Sequence, residues 1–225
     1  MARIWTFGDS FTASFKPEPE IAKIVDWRNE YCEFKGYIPG VYGEVISQIL
    51  DIPLMNMGIG GSDNYTILDA IIDSCDIIKE DDIIIVGWSS VLRSRLVNIN
   101  DVFTPIIPNL PEKNLAEFFG VKQSTLDDIL VNRSHVLYIK ELNKFIKLVN
   151  HLFPKNKIIQ WSPFYSWANN EGVNVQKMNI DIVGINRETK NVVRDGHFSE
   201  QTHKNLAHKM IEILDKGGSI SKKLL

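Results

Sequence analysis

The sequence predicts an α/β protein: a three-layer α/β/α sandwich around a central parallel sheet. Short apolar runs alternate with longer amphipathic segments along most of the chain, the pattern of strands joined by crossover helices. The run "DDIIIVGW" at 81–88 is apolar at consecutive positions, as a parallel strand buried on both faces must be. The chain also closes on an amphipathic segment, "SEQTHKNLAHKMIEIL" at 199–214. One face of that helix would seal a side of the sheet.

The first strand is "ARIWTFG" at 2–8, and the helix after it is "GVYGEVISQIL" at 40–50, with Val41, Val45, Ile46 and Ile49 at helical spacing. A second strand, "IPLMNMG" at 52–58, leads into a helix begun by Ser62 or Asp63, on which Ile67, Ile71 and Cys75 share a face. The third strand is the 81–88 run. Residues 134–153 carry the longest helical pattern, with Tyr138, Leu142, Phe145, Val149 and Leu152 on one stripe, and "NKIIQWS" at 156–162 is another buried strand. In the last helix Ser199 is the N-cap and Leu206, Met210 and Leu214 form the inward face. Residues 97–130 break the rhythm. They carry three prolines and only weak helical pieces, and a connection that long is commonly a lid or a contact surface. The expectation is a single domain over 1–225 with an insertion at about 97–130.

Composition narrows the partners. Apolar residues make up 44% and charged residues 24% of the 225, and the net charge is -3, which gives no electrostatic reason to expect nucleic acid. The longest apolar runs are too short to cross a bilayer. The start "MARIWTFGDS" lacks the features of a secretory signal, so the chain reads as cytoplasmic. Cys32 and Cys75 show no metal spacing and read as free, partly buried thiols.

Ligands of open parallel sheets bind beyond the carboxyl ends of the strands. Those ends read "GDSFT", "NMGIGGSDN", "GWSS" and "WSPFYSW", and "RDGHFSEQTH" precedes the last helix. Serine chemistry needs a nucleophile, a base, a group that orients the base, and oxyanion donors. Ser10 stands at the turn after the first strand, where its hydroxyl can project and its N–H can point inward. His197 supplies a base. Asp195 lies two residues before it, on the same side of an extended segment. Gly61 offers a backbone N–H where a side chain would obstruct approach.

"GDSFT" resembles the first block of the SGNH (GDSL-like) hydrolases, whose nucleophilic serine follows Gly-Asp. "NMGIGGSDN" is similar to their second block, whose oxyanion glycine matches Gly61, and "RDGHFSEQTH" to their fifth, which carries the Asp and His of the triad. The resemblance implies the flavodoxin-like SGNH fold and a serine esterase without cofactor or metal. Its catalytic residues would be Ser10, His197 and Asp195, and its oxyanion hole would use Ser10, Gly61 and the third-block position. Two positions depart from the pattern. Ser89, in Gly87-Trp88-Ser89-Ser90, stands where the family has an asparagine donor, and the fifth block reads Asp-x-His in place of Asp-x-x-His. The family's substrates are small-molecule or carbohydrate esters. Aromatic residues at the strand ends favour a carbohydrate O-acetylesterase over a lipase, lysophospholipase or thioesterase. A non-catalytic binding module or an assembly protein of the same fold remains the other reading.

Each site residue has a plainer alternative. Ser10 can be a turn serine, His197 a loop histidine, and Gly60 and Gly61 simple turn glycines. Asp9 reads as a structural residue that hydrogen-bonds the turn backbone. His203 falls on the inward stripe of the last helix and reads as a core or supporting histidine. Trp88, Phe164, Tyr165 and Trp167 are either pocket walls or core. Arg93, like Arg95, either meets a substrate anion or is solvated. A metal at Asp195, His197 and His203 has no supporting motif.

Overall fold

The computed structural model describes residues 1–15, 38, 40–90, 93–97, 103–106, 122, 124, 135–162, 198 and 200–216. The elements are β1 (Ile4–Gly8), α1 (Tyr42–Leu50), β2 (Leu54–Gly58), α2 (Asn64–Asp73), β3 (Ile83–Gly87), β4 (Ser94–Val97), β5 (Phe103–Ile106), α3 (His135–Leu152), β6 (Lys157–Trp161) and α4 (Glu200–Lys216). Four strands form one parallel sheet in the order β2-β1-β3-β6. Helices cover both faces, which makes the fold an α/β/α sandwich.

Strand periodicity divides the core in two. Trp5, Phe7, Ile84 and Val86 point to one face and pack with Ile67, Leu68 and Ile71 of α2 and Ile139, Leu142, Ile146 and Val149 of α3. Ile4, Ile83, Ile85, Ile159 and Trp161 point to the other, against Tyr42, Ile46 and Leu50 of α1 and Leu206, Ala207, Met210 and Leu214 of α4. β1 and β3 are buried at every position. β2, at the edge, alternates between half-buried and exposed. Asp63 is the N-cap of α2, its carboxylate accepting from Thr66 N at 2.7 Å; Ser62 is not.

Three expectations need correction. The buried stripe of α3 is Ile139, Leu142, Ile146 and Val149, while Leu152 is 38% exposed. Cys75 lies beyond the end of α2; it is a half-buried free thiol whose pKa is pushed up by burial and by the nearby Asp76 charge. The stretch around 97–130 contributes a strand that was read as irregular. β5 pairs antiparallel with β4, Arg95 opposite Pro105, and a two-stranded ribbon leaves proline an edge where its missing N–H costs no ladder bond. The remainder of 97–130, Cys32 and Ser199 lie outside the described residues. No described helix is long and apolar enough to cross a membrane.

Candidate active site

The register sets Gly58, Gly8, Gly87 and Trp161 side by side at the carboxyl ends of β2, β1, β3 and β6. The turn that follows β1 folds back over the glycines. A Cβ on Gly58 would stand 2.6 Å from Ala13 N and 2.7 Å from Thr12 C; one on Gly87 would stand 2.9 Å from Thr12 Oγ1, and one on Gly8 would strike the same hydroxyl. Three neighbouring strand ends therefore lack side chains where the Ser10 turn packs on them, its backbone filling the space over Gly58 and its Thr12 side chain the space over Gly8 and Gly87.

That turn is fastened from several sides. Thr12 N and Ala13 N donate to Asp9 O, each at 2.9 Å, and Phe11 N donates to Asp9 Oδ1 at 3.1 Å. Thr12 Oγ1 meets Tyr42 Oη at 3.0 Å, Asn56 Nδ2 donates to Thr12 O at 2.9 Å, and Ser14 Oγ donates to Glu44 at 2.7 Å. Ser10 is 8% exposed at the top of this arrangement. Asp9 keeps the structural role its position suggested, and its partners extend beyond the turn.

Gly61 sits in the neighbouring turn after β2. Ile59 N donates to Gly8 O at 3.0 Å, and Ser62 N closes the turn on Ile59 O at 3.2 Å. Gly61 has φ +81°, the left-handed value that the third position of a type II turn requires. Nothing lies within 4 Å of the Cβ it lacks, so glycine is needed here for backbone conformation, with open space in front of it.

The residues after β3 join these two turns. Ser89 is 1% exposed, and its hydroxyl donates to Asp9 Oδ2 at 2.7 Å. A serine has one proton to donate, so in this arrangement the proton expected at the oxyanion is directed to Asp9. Asn64 brackets the Ser89 backbone, accepting from its N–H at 2.8 Å and donating to its carbonyl at 3.2 Å. Arg93 Nη1 donates to Asp9 Oδ2 at 3.0 Å and to Ser62 O at 3.1 Å. Arg93 is thus ion-paired and only 12% exposed, neither solvated nor aimed solely at a ligand. It also borders a depression between α2 and α3, with Tyr65, Tyr138, Glu141 and Phe145. Burial, followed by its hydrogen bond to Glu141, pushes the Tyr65 hydroxyl up to about 12.

Trp88 is not a pocket wall. It is fully buried, its indole N–H donating to Gln160 Oε1 at 2.9 Å and its ring 6.2 Å from that of Phe145. Phe164, Tyr165, Asp195 and His197 lie outside the described residues. Phe198 is described, and its ring lies 4.6 Å from that of Phe11. His203 is 1% exposed and accepts from Tyr42 N through Nδ1 at 3.3 Å, which makes it a supporting residue linking α4 to the start of α1. Sequence reasoning missed Thr12, Asn56, Asn64 and the shared use of Asp9. Glycines ending three successive strands were the one available sign that a backbone crosses there.

Removing the Ser89 hydroxyl tests its bond to Asp9. Ser89→Ala is expected to lower stability by about 1.5–3 kcal/mol, the usual range for a hydrogen bond to a charged group, measured by urea denaturation. A loss below a few tenths of a kcal/mol would show that the bond contributes nothing.

No protein-family model matches the sequence, and no curated protein matches it. Similar solved structures include a member of the lipolytic protein G-D-S-L family from Veillonella parvula, at 16% identity and TM-score 0.49, over 96% of this chain and 100% of that one. An acetyl xylan esterase from the rumen bacterium Butyrivibrio proteoclasticus aligns at 14% identity and TM-score 0.45, over 96% of this chain and 64% of the esterase.

Proposed function

We propose that the protein is a serine hydrolase that cleaves an ester through an acyl-enzyme intermediate. The observation that carries this reading is the pinned Ser10 turn beside the Gly61 turn, with Phe198 packed on Phe11. Phe11 follows Ser10 and Phe198 follows His197 in the chain. Consecutive Cα atoms are only about 3.8 Å apart, so this ring pair supports His197 as the partner of Ser10. The bond between Tyr42 N and His203 Nδ1 also favours His197 over His203 as the base.

In this reading Ser10 Oγ attacks the ester carbonyl while His197 takes its proton and Asp195 orients the imidazole. The N–H groups of Ser10 and Gly61 receive the charge that develops on the carbonyl oxygen. Collapse of the tetrahedral intermediate breaks the ester C–O bond, and the His197 proton goes to the leaving alkoxide. Water, deprotonated by His197, then releases the acid and restores Ser10. With Trp88 in the core, the aromatic argument for a carbohydrate rests on Phe164, Tyr165 and Trp167, so the substrate class is taken as esters in general.

The commitment of the Ser89 proton to Asp9 favours a second reading, a binding module that keeps the fold without turnover. Labelling with a fluorophosphonate probe and peptide mapping distinguishes the two. A hydrolase is expected to carry the label on Ser10 alone and to lose it in Ser10→Ala. Label on another serine, or none on folded protein, would remove the hydrolase reading.

A further inference from the structure

We propose that Arg93 is a positioning residue that locks the Ser10 turn and the Gly61 turn into one fixed relation. A single nitrogen, Nη1, donates to Asp9 Oδ2 at 3.0 Å and to Ser62 O at 3.1 Å. Asp9 immediately precedes Ser10, and Ser62 immediately follows Gly61. The two acceptors therefore belong to the two segments whose backbone N–H groups would hold an oxyanion. Asp9 is 1% exposed and Arg93 is 12% exposed, so water competes little for either bond and the ion pair is stronger than a surface one.

Arg93 is itself anchored. Its N–H donates to Ser90 O at 3.1 Å, in the segment that follows β3, so the clamp reaches the first two strand ends from the third. The two hydrogens on a guanidinium nitrogen are held in a plane at fixed angles, which suits two acceptors on different segments. Among the described residues Nε and Nη2 take no hydrogen bond.

The arrangement also accounts for the serine at the third strand end. With the Ser89 proton on Asp9, oxyanion stabilisation falls to two backbone donors on separate turns. Their usefulness depends on relative position. The catalytic consequence of the clamp rests on the serine-hydrolase reading. The clamp as a structural device does not.

The experiment uses the full-length wild type, Arg93→Ala and Arg93→Lys. Arg93→Ala removes the guanidinium from the buried Asp9 carboxylate, and Arg93→Lys keeps the charge on a shorter stem in case the alanine variant does not fold. Amide hydrogen exchange is measured at Phe11–Ala13 and at Ile59–Ser62. Both segments are expected to exchange faster together in whichever variants fold; acceleration at one segment or neither overturns the clamp. Fluorophosphonate labelling of Ser10 is measured on the same samples. A fall in rate of about tenfold is expected, less than the hundredfold typical of a full 1 Å misplacement. Guanidinium ion, well below denaturing concentration, should restore part of the Arg93→Ala rate where equal sodium chloride does not. In Arg93→Lys, the rate deficit and the faster exchange should appear together. An unchanged labelling rate in loosened turns, or a deficit that guanidinium leaves untouched, overturns the positioning role. Joint loosening with no label on the wild type would uphold the clamp and remove the hydrolase reading.

Discussion

Gly58→Ala is expected to destabilise the fold by about 3 kcal/mol, the upper range for overpacking, and to slow Ser10 labelling by about a hundredfold. The new methyl carbon would lie 2.6 Å from Ala13 N, 2.7 Å from Thr12 C and 2.8 Å from Ala13 Cα. All three are backbone atoms of the Ser10 turn, so no side-chain rotation relieves the overlap. Either β2 slides out of register or the turn lifts from the sheet, and both move Ser10 relative to Gly61. Gly40→Ala is the control, since its Cβ would meet nothing closer than 3.7 Å. Thermal unfolding and labelling kinetics on both variants measure the effect. Labelling at the wild-type rate in a stable Gly58→Ala protein would show that the turn does not need the glycine row.

The second large effect lies at the opposite end of the sheet. The Asp82 carboxylate accepts from Arg3 N at 2.8 Å through Oδ1. Through Oδ2 it accepts from Trp5 Nε1 at 2.8 Å and from Arg3 Nη2 and Lys79 N, each at 3.0 Å. Burial opposes its ionisation, but the Lys79 N–H, the Trp5 indole and the two Arg3 donors outweigh it and hold the carboxyl below the usual range. Asp82→Ala leaves these donors without their acceptor and is expected to cost about 4 kcal/mol. The wild-type pH dependence follows from the direction of the shift. A depressed folded pKa adds stability that is complete above the unfolded value of about 3.9. It is lost as pH falls through the folded value. Urea unfolding between pH 3 and pH 7 should therefore show an acid loss in wild type that is smaller in Asp82→Ala. Parallel profiles would sink the assignment. Because Asp82 is remote from Ser10, labelling per folded molecule should not change.

What the sequence disclosed and what it concealed have separate physical causes. "IIIVG" was legible as a central strand because burial on both faces leaves no polar position to interrupt the run, and "IWTFG" as a strand although the buried Thr6 interrupts it. The α3 stripe was misphased because Tyr138 and Phe145, apolar at the right spacing, border a depression beside the core. Trp88 stayed open between pocket wall and core because its place at a strand end says nothing of which way its side chain packs. The turns after β1 and β2 were legible as neighbours, since sheet topology alone brings strand ends together. The links from Asp9 to Ser89 and Arg93 join side chains 80 and 84 positions apart and leave no trace in local spacing. Asp195 and His197 remain assignments from the sequence and the Phe198 contact.

The pairing of α4 with the far face of the sheet bears on the order in which the molecule is completed. Synthesis delivers the amino-terminal elements first, so β1, β2 and β3 can associate while α4 is still within the ribosome. Until it emerges, α1 is the one described helix that covers Ile83, Ile85, Ile159 and Trp161. The bond from Tyr42 N to His203, spanning 161 positions, and the Phe11–Phe198 contact form only when the last helix docks. On the serine-hydrolase reading, a nascent chain would thus hold its serine turn early and lack turnover. The same late event would cover the apolar face and, on that reading, bring in the base.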